Sequence, residues 1–401
     1  MIKGVTIQYF KAIKQCNNLQ LQPFTVFIGN NGSGKSSVLE ALKMLQTAVT
    51  EDLQQAFQQW KGIDKVRHFS ALHNSPVVNE LGFIQKEEPV TIQFDCTVAG
   101  KLFQYSISIN LDESGDYYVV EHEELLCDGE PLITGNVVSN DGNNMGQITP
   151  SSEFGVPPFT YAGNRLLLSF RDGNPVWLSE EIKLFQEYVI NWQFLYLNAH
   201  EMGEPYLQNR LTRKIKLNYD GSNVAEYLVW LRATSSESFE SLIKKMQFVL
   251  PYMQQIQPRI TEVVNREIDL LMYENNEKSR PLPGWLLSSG TLRILALLAM
   301  FNTPEKPSVL FIDEIENGLD PRTIGLLLSQ IESAFSEKEM QVIVTTHSPY
   351  LLDMVALESI IVTEKEVAGS TYTIPDNDES LTKWKEKFSP GKLYTMGKLT
   401  Q

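Results

Sequence analysis

The stretch VFIGNNGSGKSSVLEAL, from Val26 to Leu42, decides the fold. An apolar run, Phe24 to Ile28, is broken by a loop of glycines and asparagines and followed by an apolar-periodic helix pattern. Strand, phosphate loop and helix follow in that order. Gly29, Gly34, Lys35 and Ser36 satisfy G-x-x-x-x-G-K-[ST], in which small residues let successive backbone N–H groups converge on phosphate oxygens. Asn30, Asn31, Gly32, Ser33, Gly34, Lys35, Ser36 and Ser37 are therefore the candidate phosphate cradle. Lys35 is expected to reach the β- and γ-phosphates and the Ser36 hydroxyl to hold Mg²⁺, with the positive end of the helix aimed at the same anion.

Two further stretches end in chemistry. SVLFIDE, Ser308 to Glu314, is a continuous apolar run closed by two carboxylates, the pattern of a buried parallel strand. Ligands of open α/β sheets bind at that edge, so Asp313 is placed to hold Mg²⁺ through a water and Glu314 to take a proton from the water attacking the γ-phosphate. QVIVTT, Gln341 to Thr346, is a second such strand, and His347 at its tip is one of only five histidines and the candidate sensor of the γ-phosphate. LSSGTLR, Leu287 to Arg293, precedes an apolar helix, and Ser288, Ser289 and Gly290 at its N-terminus make another anion site. One nucleotide needs one such loop. The economical assignment of the second is a nucleotide carried by another subunit.

Composition narrows the class. The chain has 401 residues, 42% of them hydrophobic, enough for a large α/β domain with insertions or for two to three domains. No apolar run approaches the roughly 18 residues of a membrane span, and the best candidate, Leu292 to Phe301, contains Arg293. Neither a membrane span nor a signal peptide is expected. Cys16, Cys96 and Cys127 form no C-x-x-C pair, which favours a reducing cytoplasm over a disulfide framework or a zinc hook. A net charge of −15 disfavours broad nucleic-acid binding, although Arg210, Arg213, Lys214 and Lys216 form one basic cluster and Lys244 with Lys245 another.

Along the chain, Ile2 to Phe10 alternates as a strand and runs into a short connection, and Leu19 to Ile28 supplies the strand that feeds the loop. Phe10 and Lys11 lie where a side chain could stack on or pair with the nucleotide, though an aromatic at a strand end is more often core packing. Ser36 to Trp60 reads as one long helix or two. Val90 to Asn110 is a hairpin turning near Ala99, Gly100 and Lys101, with Tyr117 to Leu126 continuing an antiparallel patch. Gly129 to Ser152 reads as loop. Helices are expected over Glu180 to Trp192, Asn223 to Arg232 and Phe239 to Val249, and a short strand over Phe194 to Leu197. Ile260 to Tyr273 fits helix and strand equally.

Taken together, GNNGSGKS, LSSGTLR, VLFIDE, the GLDP of Gly318 to Pro321 and TTHSP resemble the ABC-type ATPase heads of the RecF and SMC group. Most similar is the set of small bacterial RecF-like ATPases of the AAA class, which includes ATPase subunits of anti-phage defence systems. The resemblance implies an α/β P-loop NTPase fold, an ABC-type head with an antiparallel β patch and a mostly helical middle insertion. It divides the chain into 1–100 with Walker A, 101–280 as β extension and helical insertion, 281–362 with signature, Walker B, D-loop and switch His347, and a tail at 363–401. ATP and Mg²⁺ are implied, with Asp320 and Lys11 near the nucleotide and two heads closing face to face on two ATP molecules. Ser289 stands where transporter signatures usually carry glycine. A Q-loop residue has two candidates, His68 and Gln85.

The implied function is a Mg²⁺-dependent ATPase whose ATP-driven dimerisation, as a homodimer or higher homo-oligomer, gates a separately encoded effector of nuclease type. The alternative is a RecF-like repair ATPase that binds DNA itself; direct nucleic-acid contact stays open in both, and a transporter ATPase fits the middle region poorly. Asp376 and Asp378 mimic part of a Toprim D-x-D, but the 54 residues after His347 leave no room for that fold, and a loop is expected.

Overall fold

The computed structural model describes residues 1–71, 87–112, 115–140, 143–148, 159–162, 165–170, 178–208, 215–261, 266–276, 280–336, 340–378, 381–385 and 387–399. It divides into two compact units, one of Met1–Trp192, Leu357–Thr382 and Gly397–Gln401, the other of Gln193–Ala356 and Lys383–Met396. Gln85, Arg210, Arg213 and Lys214 lie outside the described residues.

The first unit is built on an eight-stranded antiparallel sheet in the order Ile13–Gln20, Ile2–Phe10, Val90–Val98, Lys101–Leu111, Tyr118–Cys127, Glu130–Asn140, Asn143–Ile148 and Phe159–Ala162. Ala99 (φ 49°) and Gly100 (φ 83°) make the two-residue turn of its central hairpin, both left-handed as strand twist requires. Two expectations are corrected here. The residues after Phe10 are not a connection but the strand Ile13–Gln20, and the strand feeding the loop starts only at Phe24. The expected loop from Gly129 is a pair of strands: Asp128 (φ 50°) and Gly129 (φ 87°) turn the chain directly into Glu130–Asn140.

The sheet buries its apolar face around Phe185 of the helix Glu180–Ile190, whose ring lies 5.7 Å from Phe94, 5.4 Å from Tyr105 and 5.3 Å from Phe103. Such aromatic pairs add roughly 1 kcal/mol each beyond the area they bury. In the same unit Phe24–Gly29, buried at every position, runs parallel to Ile360–Glu366, which turns back through Gly369–Thr373. The helix Lys35–Thr50 buries Val38, Leu42, Leu45 and Val49 and is followed by Leu53–Gln58. Its Gln46 amide donates to the carbonyls of Val189 (3.0 Å), Ile190 (3.2 Å) and Trp192 (2.8 Å), satisfying the open end of the helix Glu180–Ile190.

In the second unit Val309–Ile312 pairs in parallel with Gln341–Thr345 on one side and lies beside Trp192–Leu195 on the other. Four-residue runs buried at every position are what a strand covered on both faces demands. The ambiguous stretch from Ile260 resolves as two antiparallel strands, Met253–Thr261 and Glu267–Glu274, the second also pairing with Tyr206–Leu207 and Leu282–Pro283. Helices Val224–Thr234, Ser236–Val249 and Ser289–Phe301 complete the unit's core. Lys245 joins two of them, donating to Asn302 at 2.8 Å, so it is a packing residue rather than half of a basic patch. No helix among the described residues is long and apolar enough to cross a membrane.

Candidate functional site

The phosphate loop of the first unit leaves the strand at Gly29 (φ 148°) and enters the helix at Lys35 with Gly34 (φ 108°) as its cap. Both glycines are required by contact as well as by backbone angle. A Cβ on Gly29 would stand 2.1 Å from the Thr363 carbonyl oxygen, and one on Gly34 would stand 2.4 Å from Ser370 Oγ. From the far side, Ser370 donates to the Ser33 carbonyl and Tyr372 to the Gly34 carbonyl at 3.1 Å. Burial pushes the Tyr372 hydroxyl far above its ordinary value, so it stays a donor. The hairpin Gly369–Thr373 therefore holds the loop from behind, a support the sequence reading missed.

Lys35 is buried and donates to the carbonyls of Gly29 and Asn30, 3.0 Å each. A cavity of about 230 Å³ lies in front of the loop, lined by Lys11, Ala12, Gly32, Gly34, Lys35, Ser36 and Ser37. Asn30 and Asn31 are exposed on the loop's outer side. Ser33 Oγ is buried and has no hydrogen-bond partner among the described residues. A small cavity lined by Lys35, Ser36 and the glycines of a loop at a helix N-terminus fits a phosphate chain. Lys11 at the cavity edge pairs with Glu40 at 2.6 Å and sits 4.9 Å from the Trp60 ring centre. Phe10 is core: it is fully buried, edge-on to Trp60 at 5.7 Å, and does not line the cavity. His68 is buried and bonded to Ser70 at 2.8 Å, and burial lowers its proton affinity.

In the second unit the parallel register sets Ile312 beside Val344, which brings Asp313 and Glu314 to the tip occupied by Thr345. Thr345 Oγ1 donates to Asp313 Oδ1 at 2.5 Å and accepts from the Glu314 backbone N–H at 2.8 Å. One buried hydroxyl thus orients both carboxylate residues. Glu314 has φ 52°, a left-handed conformation rare for a residue with a side chain. Its carboxylate accepts from Asn317 Nδ2 at 3.2 Å. The backbone N–H of His347 donates to Glu316 Oε1 at 2.5 Å, so strand tip and acidic turn are tied together. Asp320 is engaged locally: it accepts from the Thr323 hydroxyl at 2.6 Å and from the N–H groups of Arg322 (2.9 Å) and Thr323 (3.2 Å), and the Thr323 hydrogen bond first of all holds its carboxyl below the usual range.

The signature helix Ser289–Phe301 is capped by Ser288, whose hydroxyl accepts from the Thr291 N–H at 3.1 Å, while Ser288 and Ser289 are exposed. Gly290 abuts the acidic turn, where a Cβ would lie 2.4 Å from the Gly318 carbonyl oxygen. Arg293 donates to the Asn317 carbonyl at 3.2 Å; burial lowers its proton affinity, against the pull of Glu314. Signature and acidic turn are one packed piece. Asp376 lies in a single 3₁₀ turn, Pro375–Asn377, with Asp378 just beyond it.

Thr345 yields a direct expectation. Thr345→Val keeps the shape and removes both hydrogen bonds, so turnover should fall about 10- to 100-fold while ATP affinity stays within about twofold, as for other residues that orient a reacting shell. Equilibrium binding of a fluorescent ATP analogue beside steady-state turnover measures both. Unchanged turnover would remove Thr345 from the site.

A family model described as "AAA domain, putative AbiEii toxin, Type IV TA system" matches residues 24–353, a span that takes in the phosphate loop, the signature, the acidic turn and His347. Among solved structures, an SMC head bound to the C-winged helix domain of ScpA is similar at 14% identity and a TM-score of 0.50, over 93% of this chain and 97% of that one. An SMC head domain with an extended coiled coil, bound to the C-terminal domain of ScpA derived from Pyrococcus furiosus, follows at 13% identity and 0.47, over 96% and 99%. One from Thermotoga maritima follows at 12% and 0.44, over 93% and 98%. No curated protein sequence matches. The fold is that of an SMC- and RecF-like, ABC-type ATPase head, a likeness that rests on the first of these structures together with the family model. With that span matched, the chain belongs to the AAA-domain family of AbiEii type.

Proposed function

We propose that this ATPase head binds Mg²⁺-ATP at its phosphate loop, closes on a second copy through the signature helix, and by that switch gates a separately encoded effector of nuclease type. The observation that carries the reading is the pairing of two candidate anion sites in one chain, the loop with its cavity lined by Lys35 and Ser36 and the exposed Ser288–Ser289 cap of a 13-residue helix. In this reading Lys35 and the loop N–H groups neutralise the phosphates, and Glu314 accepts the proton of the attacking water. His347 reads the γ-phosphate, and Ser289 and Gly290 of the second copy cover it. Ser36 and Asp313 are hard oxygen donors of the type Mg²⁺ takes, and the ion supplies charge neutralisation at the β- and γ-phosphates when bound. An SMC head similar in fold is bound to a separate winged-helix polypeptide, which supports a head that works on a partner.

The effector reading is tested by purifying the chain alone and together with the products of its neighbouring genes, and comparing nucleic-acid binding and cleavage with and without ATP. The proposal expects an ATP-dependent change in cleavage only in the co-purified complex. Tight, salt-sensitive DNA binding by the chain alone, with no stable partner recovered, would replace it with the direct repair reading.

A further inference from the structure

Three large apolar side chains lie exposed along one edge of the strand Glu267–Glu274 in the second unit: Leu207 (61% exposed), Trp285 (50%) and Leu286 (64%). Leu207 sits opposite Glu267 and Pro283 opposite Leu271, after which the chain turns through Gly284–Leu286 as one 3₁₀ turn. That turn is locked by backbone contact. A Cβ on Gly284 would stand 2.7 Å from the Gly203 carbonyl oxygen and one on Gly203 would stand 3.0 Å from the Trp285 Cα, while the Leu287 N–H closes the turn on the Gly284 carbonyl at 3.0 Å. The inner side of the turn is filled by the short helix Ala199–Gly203, and Trp285 and Leu286 are left on the outer side.

Clustered exposed apolar side chains of this size mark interaction surfaces. Their place in the chain identifies the occupant. Leu286 precedes the capping Ser288 by two residues and Trp285 by three, so chain geometry keeps their Cα atoms within about 7 and 11 Å of the signature. A molecule whose phosphate Ser288 and Ser289 reach therefore comes within a similar short distance of these two exposed residues. We infer that Trp285 and Leu286, with Leu207 at the margin, seat on the second copy of this chain when the signature covers that copy's nucleotide; the inference rests on the closure proposed above. Electrostatics oppose this contact, so its attraction has to come from apolar burial. Each copy carries a net charge of −15, and Glu201 and Glu204 beside the patch are exposed, so two copies repel at long range. An apolar contact supplies attraction that added salt does not screen.

The test uses the full-length Glu314→Gln protein with Mg²⁺-ATP and reads the dimer dissociation constant by sedimentation velocity. Trp285→Ser with Leu286→Ser in that background should weaken the dimer at least about tenfold, the loss typical of central apolar anchors, with affinity for a fluorescent ATP analogue unchanged. Phe248→Ser with Tyr252→Ser, an equally exposed pair in the same unit (74% and 50%), should leave the dimer as it was. A parent that dimerises and a double variant that dimerises equally well would overturn the inference alone. So would a double variant that dimerises normally but loses a co-purified partner, which would assign the patch to that partner. A parent that forms no ATP-dependent dimer would overturn the closure itself, and the inference with it.

Discussion

Lys35→Ala is expected to lower ATP affinity roughly 100-fold and to bring turnover below detection, since a charge-assisted hydrogen bond to phosphate contributes about 1.5–3 kcal/mol. The free chain shows why the loss is specific to nucleotide. Lys35 is buried and donates to the carbonyls of its own loop, Gly29 and Asn30, at 3.0 Å each. The loop's backing is independent of that side chain, because Ser370 and Tyr372 grip the Ser33 and Gly34 carbonyls directly. The variant should therefore melt within a few degrees of the parent while binding ATP far more weakly. Calorimetric titration with ATP, beside a thermal melt, measures both. Wild-type affinity in a folded variant would remove the phosphate loop from the account.

Glu314→Gln is expected to lower turnover about 10²- to 10⁴-fold with ATP affinity intact, the range for removing a general base. Glutamine suits this position. It keeps an oxygen to accept from Asn317, and the left-handed backbone at 314 is no worse for glutamine than for glutamate. The Thr345 contact to the backbone N–H is untouched. Single-turnover measurements separate the chemical step from product release. Turnover within twofold of wild type would place the base elsewhere.

The parts of the site that the sequence declared are those with local signatures. A loop of small residues between a buried strand and a helix, and apolar runs ending in Asp313, Glu314 and His347, each mark their place in the candidate site within a few residues. The supports are different. Ser370 and Tyr372 act on the loop across 337 and 338 residues of chain, and nothing in the polar stretch around them announces it. Thr345 was visible as a threonine at a strand end, but its grip on Asp313 depends on the register that sets Ile312 beside Val344. In the fold, the strands after Gly129 were hidden by a composition rich in Gly, Asn, Asp and Ser, although Asp128-Gly129 is the strongest short hairpin signal there is. Phe10 stayed open between two readings, because an aromatic at a strand end reads alike whether it stacks on a base or fills a core, and burial settles it as the commoner case, core.

Gly290 also changes how the contact in trans is probed. Any side chain there first meets the Gly318 carbonyl of its own chain, so a substitution at Gly290 disturbs the acidic turn before it reaches a second copy. Ser289 is exposed at the first turn of the helix, where a carboxylate is favoured by the helix dipole and folding is unharmed. The same carboxylate repels the γ-phosphate of a partner's ATP. The most direct measurement is then the light-scattering mass of Glu314→Gln, alone and carrying Ser289→Glu, with and without Mg²⁺-ATP. The account predicts that ATP doubles the mass of the first protein and leaves the second unchanged, with equal ATP affinity in both. Equal, ATP-dependent doubling of both proteins, or no response to ATP in either, would contradict closure through the signature.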